Sequence, residues 1–171
     1  MEQILWTSRT FNFDFPAGMF PVIIARLRGA YPRIKDIVEG VPHEKLTQQI
    51  NGKWSMQENL GHLIDLEELH HARIIDFRNH TAVLRAADMK NKRTEEENYN
   101  NKQIADLLHA FSNARKTFIE ELLKFSDEDL VISSIHPRLN KEMRVLDMAY
   151  FVAEHDDNHI TRMLAIKDQF I

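Results

Sequence analysis

Two histidines four residues apart, near the end of the chain, are the residues best placed to do chemistry. His155 and His159 bracket the run HDDNH at residues 155–159. Residues four apart on a helix lie one above the other on one face, so both imidazoles can bind the same ion. Apolar residues at helical spacing place the pair on the core-facing side, where an imidazole without partners costs about 1 to 3 kcal/mol. The alternative is that each histidine belongs to a buried polar network or lines an interface.

His62 is the candidate for a third ligand. It follows Ser55 and Glu58, whose S-x-x-E spacing is that of a capping box at the start of a helix. Helical bundles build metal sites from inward side chains of facing helices. Three protein ligands also leave a coordination position for water or substrate. The sequence therefore predicts one divalent transition metal held by His62, His155 and His159.

Other titratable residues are candidates for supporting roles. Three have a possible catalytic role: Glu58, Asp156 and His136. Three could accept the second N–H of a ligating histidine, as outer-shell carboxylates do: Asp65, Asp156 and Asp157. We interpret Glu58 first as part of the capping box and His136, with Arg138, as part of a loop that could approach the metal or a substrate anion. Five histidines lack a partner at ligand spacing and are interpreted as surface or structural residues: His43, His70, His71, His80 and His109.

Four long segments with helical periodicity must position these side chains. We predict helices over residues 18–38, 55–79, 104–125 and 145–169, with Pro32 kinking or dividing the first. Trp54, just ahead of the second, is predicted to seal the end of the bundle. The polar stretch 81–101 is predicted to be a long surface connection that could cover a site, 126–129 a capped turn and 135–144 a loop. No strand is predicted, so the fold class is all-α: an antiparallel four-helix bundle with a long crossover, in a single domain over residues 1–171.

Composition excludes several classes of function. The chain has 43% hydrophobic residues, enough for a core, and its 22 basic and 26 acidic residues are interspersed, giving a net charge of -4. No basic tract points to nucleic acid or to an anionic membrane. With no cysteine, disulfides, thiolate ligands and a cysteine nucleophile are excluded. The N-terminus has no uninterrupted apolar core, so neither a signal peptide nor a membrane span is expected there, and a cytoplasmic location follows.

The motifs around the histidines resemble a known family. The run GKWS at 52–55, with Glu58 and His62, and the later pair His155 and His159 resemble the DinB-like (damage-inducible) superfamily, from about Phe20 to Ile166. The resemblance implies a four-helix bundle, often a homodimer, whose three histidines bind zinc or nickel, with iron or manganese as alternatives. Characterised members include bacillithiol S-transferases and mycothiol-dependent maleylpyruvate isomerase, in which a low-molecular-weight thiol attacks an electrophile.

Three functions remain open at this point. The first is a metal-dependent S-transferase that uses a small-molecule thiol. The second is a metal-dependent hydrolase, which we rank lower because the last helix reads H-D-x-x-H and lacks the glutamate base of an H-E-x-x-H protease. The third is a non-catalytic bundle that binds metal for stability or sensing, or that binds a partner without metal.

Overall fold

Four long helices form a bundle in the computed structural model, which describes residues 3–170. They are α1 (Phe20–Val38), α3 (Met56–Arg78), α5 (Ile104–Leu122) and α6 (Val145–Lys167). Two short helices, α2 (His43–Leu46) and α4 (Lys92–Glu96), lie in the connections. The prediction of a four-helix bundle with a long crossover is confirmed, and helix boundaries agree to within about three residues. None of the helices in the described part of the chain is both long and apolar enough to cross a membrane.

The direction of the helices explains the long crossover between α3 and α5. Arg115 of α5 pairs with Glu67 near the middle of α3 at 2.6 Å, and Arg78 at the end of α3 pairs with Glu121 at the end of α5 at 2.8 Å. The two helices therefore run parallel as neighbours. Parallel neighbours require the chain to return along the length of the bundle, as it does in bundles with crossover connections.

The crossover packs closely on α3 at Gly61. A Cβ atom at this position would lie only 2.2 Å from Cδ2 of Tyr99, whose ring is buried against the helix. Thr94 of α4 is also buried, with 4% of its surface exposed. The segment 81–101, predicted as a surface connection that could cover a site, therefore includes residues that belong to the core.

A β-hairpin replaces the loop predicted for residues 135–144, so the expectation of no strands is wrong. Strand β1 (Ser133–His136) pairs antiparallel with β2 (Lys141–Arg144), and Asn140 in the turn has a left-handed φ of 49°. The inward-facing residues of β1 are Ser134 and His136, both buried. Because the buried face of this short strand is polar, it does not show the alternation of apolar residues by which strands are recognised.

One further expectation is corrected by the structure, and the N-terminal segment adds to the core. Helix α1 continues through Pro32 to Val38, so the proline does not begin a second helix. The N-terminal segment, to which no element is assigned from the sequence, includes a short 3₁₀ helix (Trp6–Ser8), contributes Phe11 to the core and packs Trp6 against Phe151 of α6 at 5.0 Å between ring centroids. This segment therefore covers the face of α6 that continues into the histidine pair.

Candidate metal centre

The three histidines predicted as ligands converge on one point inside the bundle. His62 of α3 and His155 and His159 of α6 each offer a ligand atom, and these atoms all lie within 4.8 Å of one another. The Nε2 atoms of His155 and His159 are 3.1 Å apart. Two nitrogens at zinc–nitrogen distance from one ion in tetrahedral geometry would be about 3.3 Å apart. All three side chains are buried, so the helices bring the nitrogens together without exposing them to bulk water.

Asn59 fixes the tautomer of His159. Its amide nitrogen donates to the carbonyl oxygens of Trp54 and Ser55, at 3.2 and 2.8 Å, which directs its Oδ1 atom to Nδ1 of His159 at 2.8 Å. Because Oδ1 only accepts hydrogen bonds, the proton of His159 is on Nδ1. Its Nε2 lone pair is therefore directed toward the other two histidines, as metal-ligating histidines require.

Thr94 fixes the tautomer of His62. The Thr94 hydroxyl donates to Oδ2 of Asp65 at 2.8 Å and accepts from Nδ1 of His62 at 3.2 Å. The single hydroxyl proton is used on the carboxylate, so the proton between Thr94 and His62 must come from the imidazole. Asp65, predicted to accept directly from a histidine, reaches His62 through Thr94. Tyr99 donates to its other oxygen at 2.6 Å.

Aromatic rings enclose the histidines from two sides. The Trp54 ring lies 4.9 Å from the ring of His62 and 6.2 Å from that of His159, centroid to centroid. Trp6 packs edge-on against His155 at 4.8 Å. Trp54, predicted to seal the end of the bundle, therefore also lies beside two of the candidate ligands.

Burial keeps the three imidazoles neutral. It lowers the pKa of His62 to about 4, with a further contribution from the positive charge of Arg162. Burial also holds the pKa values of His155 and His159 well below the ordinary histidine range. Neutral imidazole is the form that binds metal, so the site is ready for an ion at neutral pH without losing protons first. Arg162, one turn beyond His159 on α6, lowers the pKa of all three histidines.

The candidate catalytic carboxylates are already engaged elsewhere. Glu58 accepts from the backbone N–H of Ser55 and from Gln49, both at 2.7 Å, and so completes the predicted capping box. Asp156 binds Arg115 through both of its oxygens, deep in the bundle. Asp157 pairs with arginines of α1 at the surface. In the described part of the chain neither Asp156 nor Asp157 accepts a hydrogen bond from a candidate ligand.

A buried ion pair supports the helix that carries the histidine pair. Arg115 of α5 is fully enclosed and connects Glu67 of α3 with Asp156 of α6, the residue that follows His155. Burial raises the pKa of Glu67 to about 7, against the effect of the Arg115 charge. These contacts hold three helices together at the level of the candidate site.

A cavity of about 280 Å³ lies beside His62. It is lined by α3 and by residues 85–94 of the crossover, including Asp65, Leu69, Arg85 and Thr94. A small molecule in this cavity would contact one of the three candidate ligands directly. The remaining catalytic candidate, His136, is outside the histidine cluster and packs on Phe151 instead, at 5.1 Å between ring centroids.

Sequence reasoning missed several residues that shape the site. Arg115 carries a detectable signal, because it lies on the apolar stripe of α5 between Phe111 and Phe118, and a charge in such a stripe requires a partner. Asn59 lies three residues before His62 and on the same helix face. Thr94 carries no local signal, since its role depends on how the crossover folds back.

The sequence and the fold both match known proteins. The model of the DinB superfamily matches residues 26–163, about four fifths of the chain. The structure of YfiT from Bacillus subtilis, described as a probable metal-dependent hydrolase with an unusual four-helix bundle topology, is similar with a TM-score of 0.78 and 16% sequence identity. The match covers 95% of this chain and 93% of that one. No curated protein matches the sequence.

Proposed function

The chain belongs to the DinB superfamily, and from this we propose that it is a metal-dependent enzyme whose His62, His155 and His159 bind one divalent transition metal, zinc or nickel before iron or manganese. The observation that carries the proposal is the convergence of the three buried imidazoles. Two of them have their second nitrogen bonded to Asn59 and Thr94, so that Nε2 is the free acceptor. This is the arrangement that outer-shell partners impose on ligating histidines.

We infer that the reaction is transfer of a small-molecule thiol to an electrophile. A divalent ion at the three imidazoles supplies Lewis acidity, which stabilises a thiolate at neutral pH. The sulfur forms a bond to an electrophilic carbon, the leaving group departs with the electron pair of its bond, and the thiol proton passes to solvent. Burial keeps the three imidazoles neutral, and the rings of Trp6 and Trp54 limit the access of water to them.

The state of the nearby carboxylates favours this reaction over hydrolysis. A hydrolase is assisted by a group that accepts a proton from the attacking water. Glu58 is held in its capping box, Asp156 is bound by Arg115, and Asp65 accepts from Thr94 and Tyr99. A free thiol, with a pKa of about 8.5, loses its proton much more readily than free water, with a pKa of about 15.7, so thiol transfer depends less on such a base. Hydrolysis is the second candidate because it is the activity ascribed to YfiT, which shares this fold.

The test compares the two reactions on the same preparation. Protein loaded with zinc or nickel is assayed for consumption of 1-chloro-2,4-dinitrobenzene with bacillithiol, mycothiol, cysteine or coenzyme A, and for hydrolysis of p-nitrophenyl acetate without a thiol. We expect thiol-dependent consumption that is lost on chelation and in His155→Ala, whereas His109→Ala, an exposed histidine, serves as the control. Metal-dependent hydrolysis with no thiol-dependent reaction would instead establish the second candidate.

A further inference from the structure

A second group of buried and partly buried polar residues extends to Phe151, one turn of α6 before His155. We call it the donor cluster: Arg73 of α3, His136 at the end of β1 and Arg138 in the hairpin turn. Arg73 and His136 are 3% and 2% exposed, and Arg138 is partly buried. His136 and Arg138 pack on the same ring, that of Phe151. Arg73 bonds to Arg85, and the backbone N–H of the neighbouring Leu84 donates to the carbonyl oxygen of Ile135, next to His136, so the three groups lie close together. Burial, and then the charges of both arginines, lower the pKa of His136.

The free polar atoms of the cluster are hydrogen-bond donors. The backbone N–H of Leu139 donates to Nδ1 of His136 at 3.2 Å, so the proton of the neutral ring is on Nε2. The Nε2–H group of His136 is buried and has no acceptor among residues 3–170. Nη2 of Arg138 is likewise buried without an acceptor. Arg73 uses its Nε–H on the carbonyl oxygen of Arg85, at 3.1 Å.

Within residues 3–170 no carboxylate forms a direct ion pair with the cluster, and the charge of Asp76 partly offsets the lowering of the pKa of Arg73 by burial without a contact between the two. The acidic residue nearest in sequence to Arg73 on α3 is Asp76, and both of its oxygens accept from Arg85, at 2.6 to 3.2 Å. No carboxylate of residues 3–170 lies within 4 Å of the guanidinium of Arg73 or Arg138. Buried charges in proteins are normally paired, and buried donors are normally bonded. Two arginines and an unbonded imidazole N–H together are the donor set of an anion site.

The cluster is adjacent to the candidate metal centre, and one of its members borders a cavity. The ring of His136 and the guanidinium of Arg138 lie 5.1 and 5.6 Å from the ring of Phe151, which precedes His155 by one turn of α6. Arg138 also lies 5.8 Å from the ring of Trp6, which packs against His155. Arg138, alone among the three residues, also lines a cavity of about 410 Å³, together with Lys141.

We propose that the donor cluster binds an oxyanion, the carboxylate or phosphate group of a small molecule. His136 and Arg138 donate to it, and the charge of Arg73 attracts it. Because the cluster flanks the three histidines, the anion is part of the molecule on which the enzyme acts, so the substrate or the thiol carries a carboxylate or phosphate. This last step rests on the proposed function, whereas the anion site itself does not require metal.

The test is a titration of protein with labelled histidine and arginine side chains. Metal-free and zinc-loaded protein are titrated with inorganic phosphate and, separately, with succinate, at pH 7 and at an ionic strength held constant with sodium chloride. The side-chain ¹H–¹⁵N signals of His136 and of the arginines are followed. We expect saturable shifts of the cluster signals in both the metal-free and the zinc-loaded protein. The anion that causes them, phosphate or succinate, shows whether the site prefers a phosphate or a carboxylate group.

Two variants, each lacking one positive charge, distinguish a specific anion site from general electrostatic attraction. Arg138→Gln removes a donor of the cluster, and we expect its affinity for the anion to fall at least tenfold. Lys141→Gln removes a charge from an exposed residue of the same cavity and should change the affinity less than twofold. No saturable shift with either anion, or equal losses in the two variants, would overturn the inference. Anion binding by a protein that takes up no metal would preserve the site and refute the proposed function.

Discussion

Replacing Thr94 by valine tests whether the crossover prepares His62 for metal. The two side chains are nearly equal in size, so the change removes the hydroxyl that accepts from Nδ1 of His62 and donates to Asp65. The imidazole N–H is then buried without an acceptor, which costs about 1 to 3 kcal/mol. His62 is also free to place its proton on Nε2, the atom needed for the ion. Loss of an outer-shell partner lowers metal affinity about 10- to 100-fold, or about 1.4 to 2.7 kcal/mol.

The affinity is measured by competition for zinc with a chromogenic chelator, and stability by urea unfolding of the metal-free protein. Thr94→Ser is the matched control, because it keeps the hydroxyl and removes only a methyl group. We expect the serine variant to bind zinc within about threefold of the wild type. Zinc affinity of Thr94→Val within twofold of the wild type, or an equal loss in Thr94→Ser, would refute the assignment of the hydroxyl as the partner of His62.

Three further predictions concern the stability of the metal-free bundle, measured by urea unfolding. Gly61→Ala should destabilise by about 1 to 3 kcal/mol, because a Cβ would meet the Tyr99 ring at 2.2 Å; a gain, as helix propensity alone predicts, would contradict this packing. Arg115→Met leaves two buried carboxylates unpaired and should cost about 3 to 5 kcal/mol; a neutral effect would show that the ion pair does not support the site. The pKa of His62 is about 4 in the folded protein and about 6.5 in the unfolded chain, so between these values the unfolded state binds more protons and the protein becomes less stable as the pH decreases. Lowering the pH from 7.5 to 5.5 should therefore reduce the free energy of unfolding by about 1.4 kcal/mol through this residue; no loss of stability would contradict the burial of His62.

The histidine site could be predicted from the sequence because its residues lie on regular helices. His155 and His159 share a face by helical spacing alone, and the capping box at Ser55 fixes the phase of α3 and so the direction of His62. Convergence of the two helices then follows from burial of their apolar faces. The same regularity explains why Glu58 was correctly interpreted as a capping residue.

The parts that were not predicted depend on contacts between distant segments. Thr94 and Tyr99 reach α3 from a polar stretch whose composition indicates exposure, and only the small size of Gly61 hints that something packs there. The hairpin places His136 inward on a strand of four residues, too short for its period to be read. Trp6 lies in a 3₁₀ helix of three residues, too short for a spacing rule to indicate which residues face the core.

Elemental analysis of the purified, untagged protein tests the central claim most directly. Wild-type protein is compared with His62→Ala, His155→Ala and His159→Ala, and with His109→Ala as the exposed control, after each is incubated with zinc or nickel and freed of unbound ion. We predict one divalent ion per chain in the wild type and in the control, and loss of that ion in each of the three variants while their helical circular dichroism is retained. Wild-type protein that takes up no ion after reconstitution, or variants that keep the ion, would contradict the account.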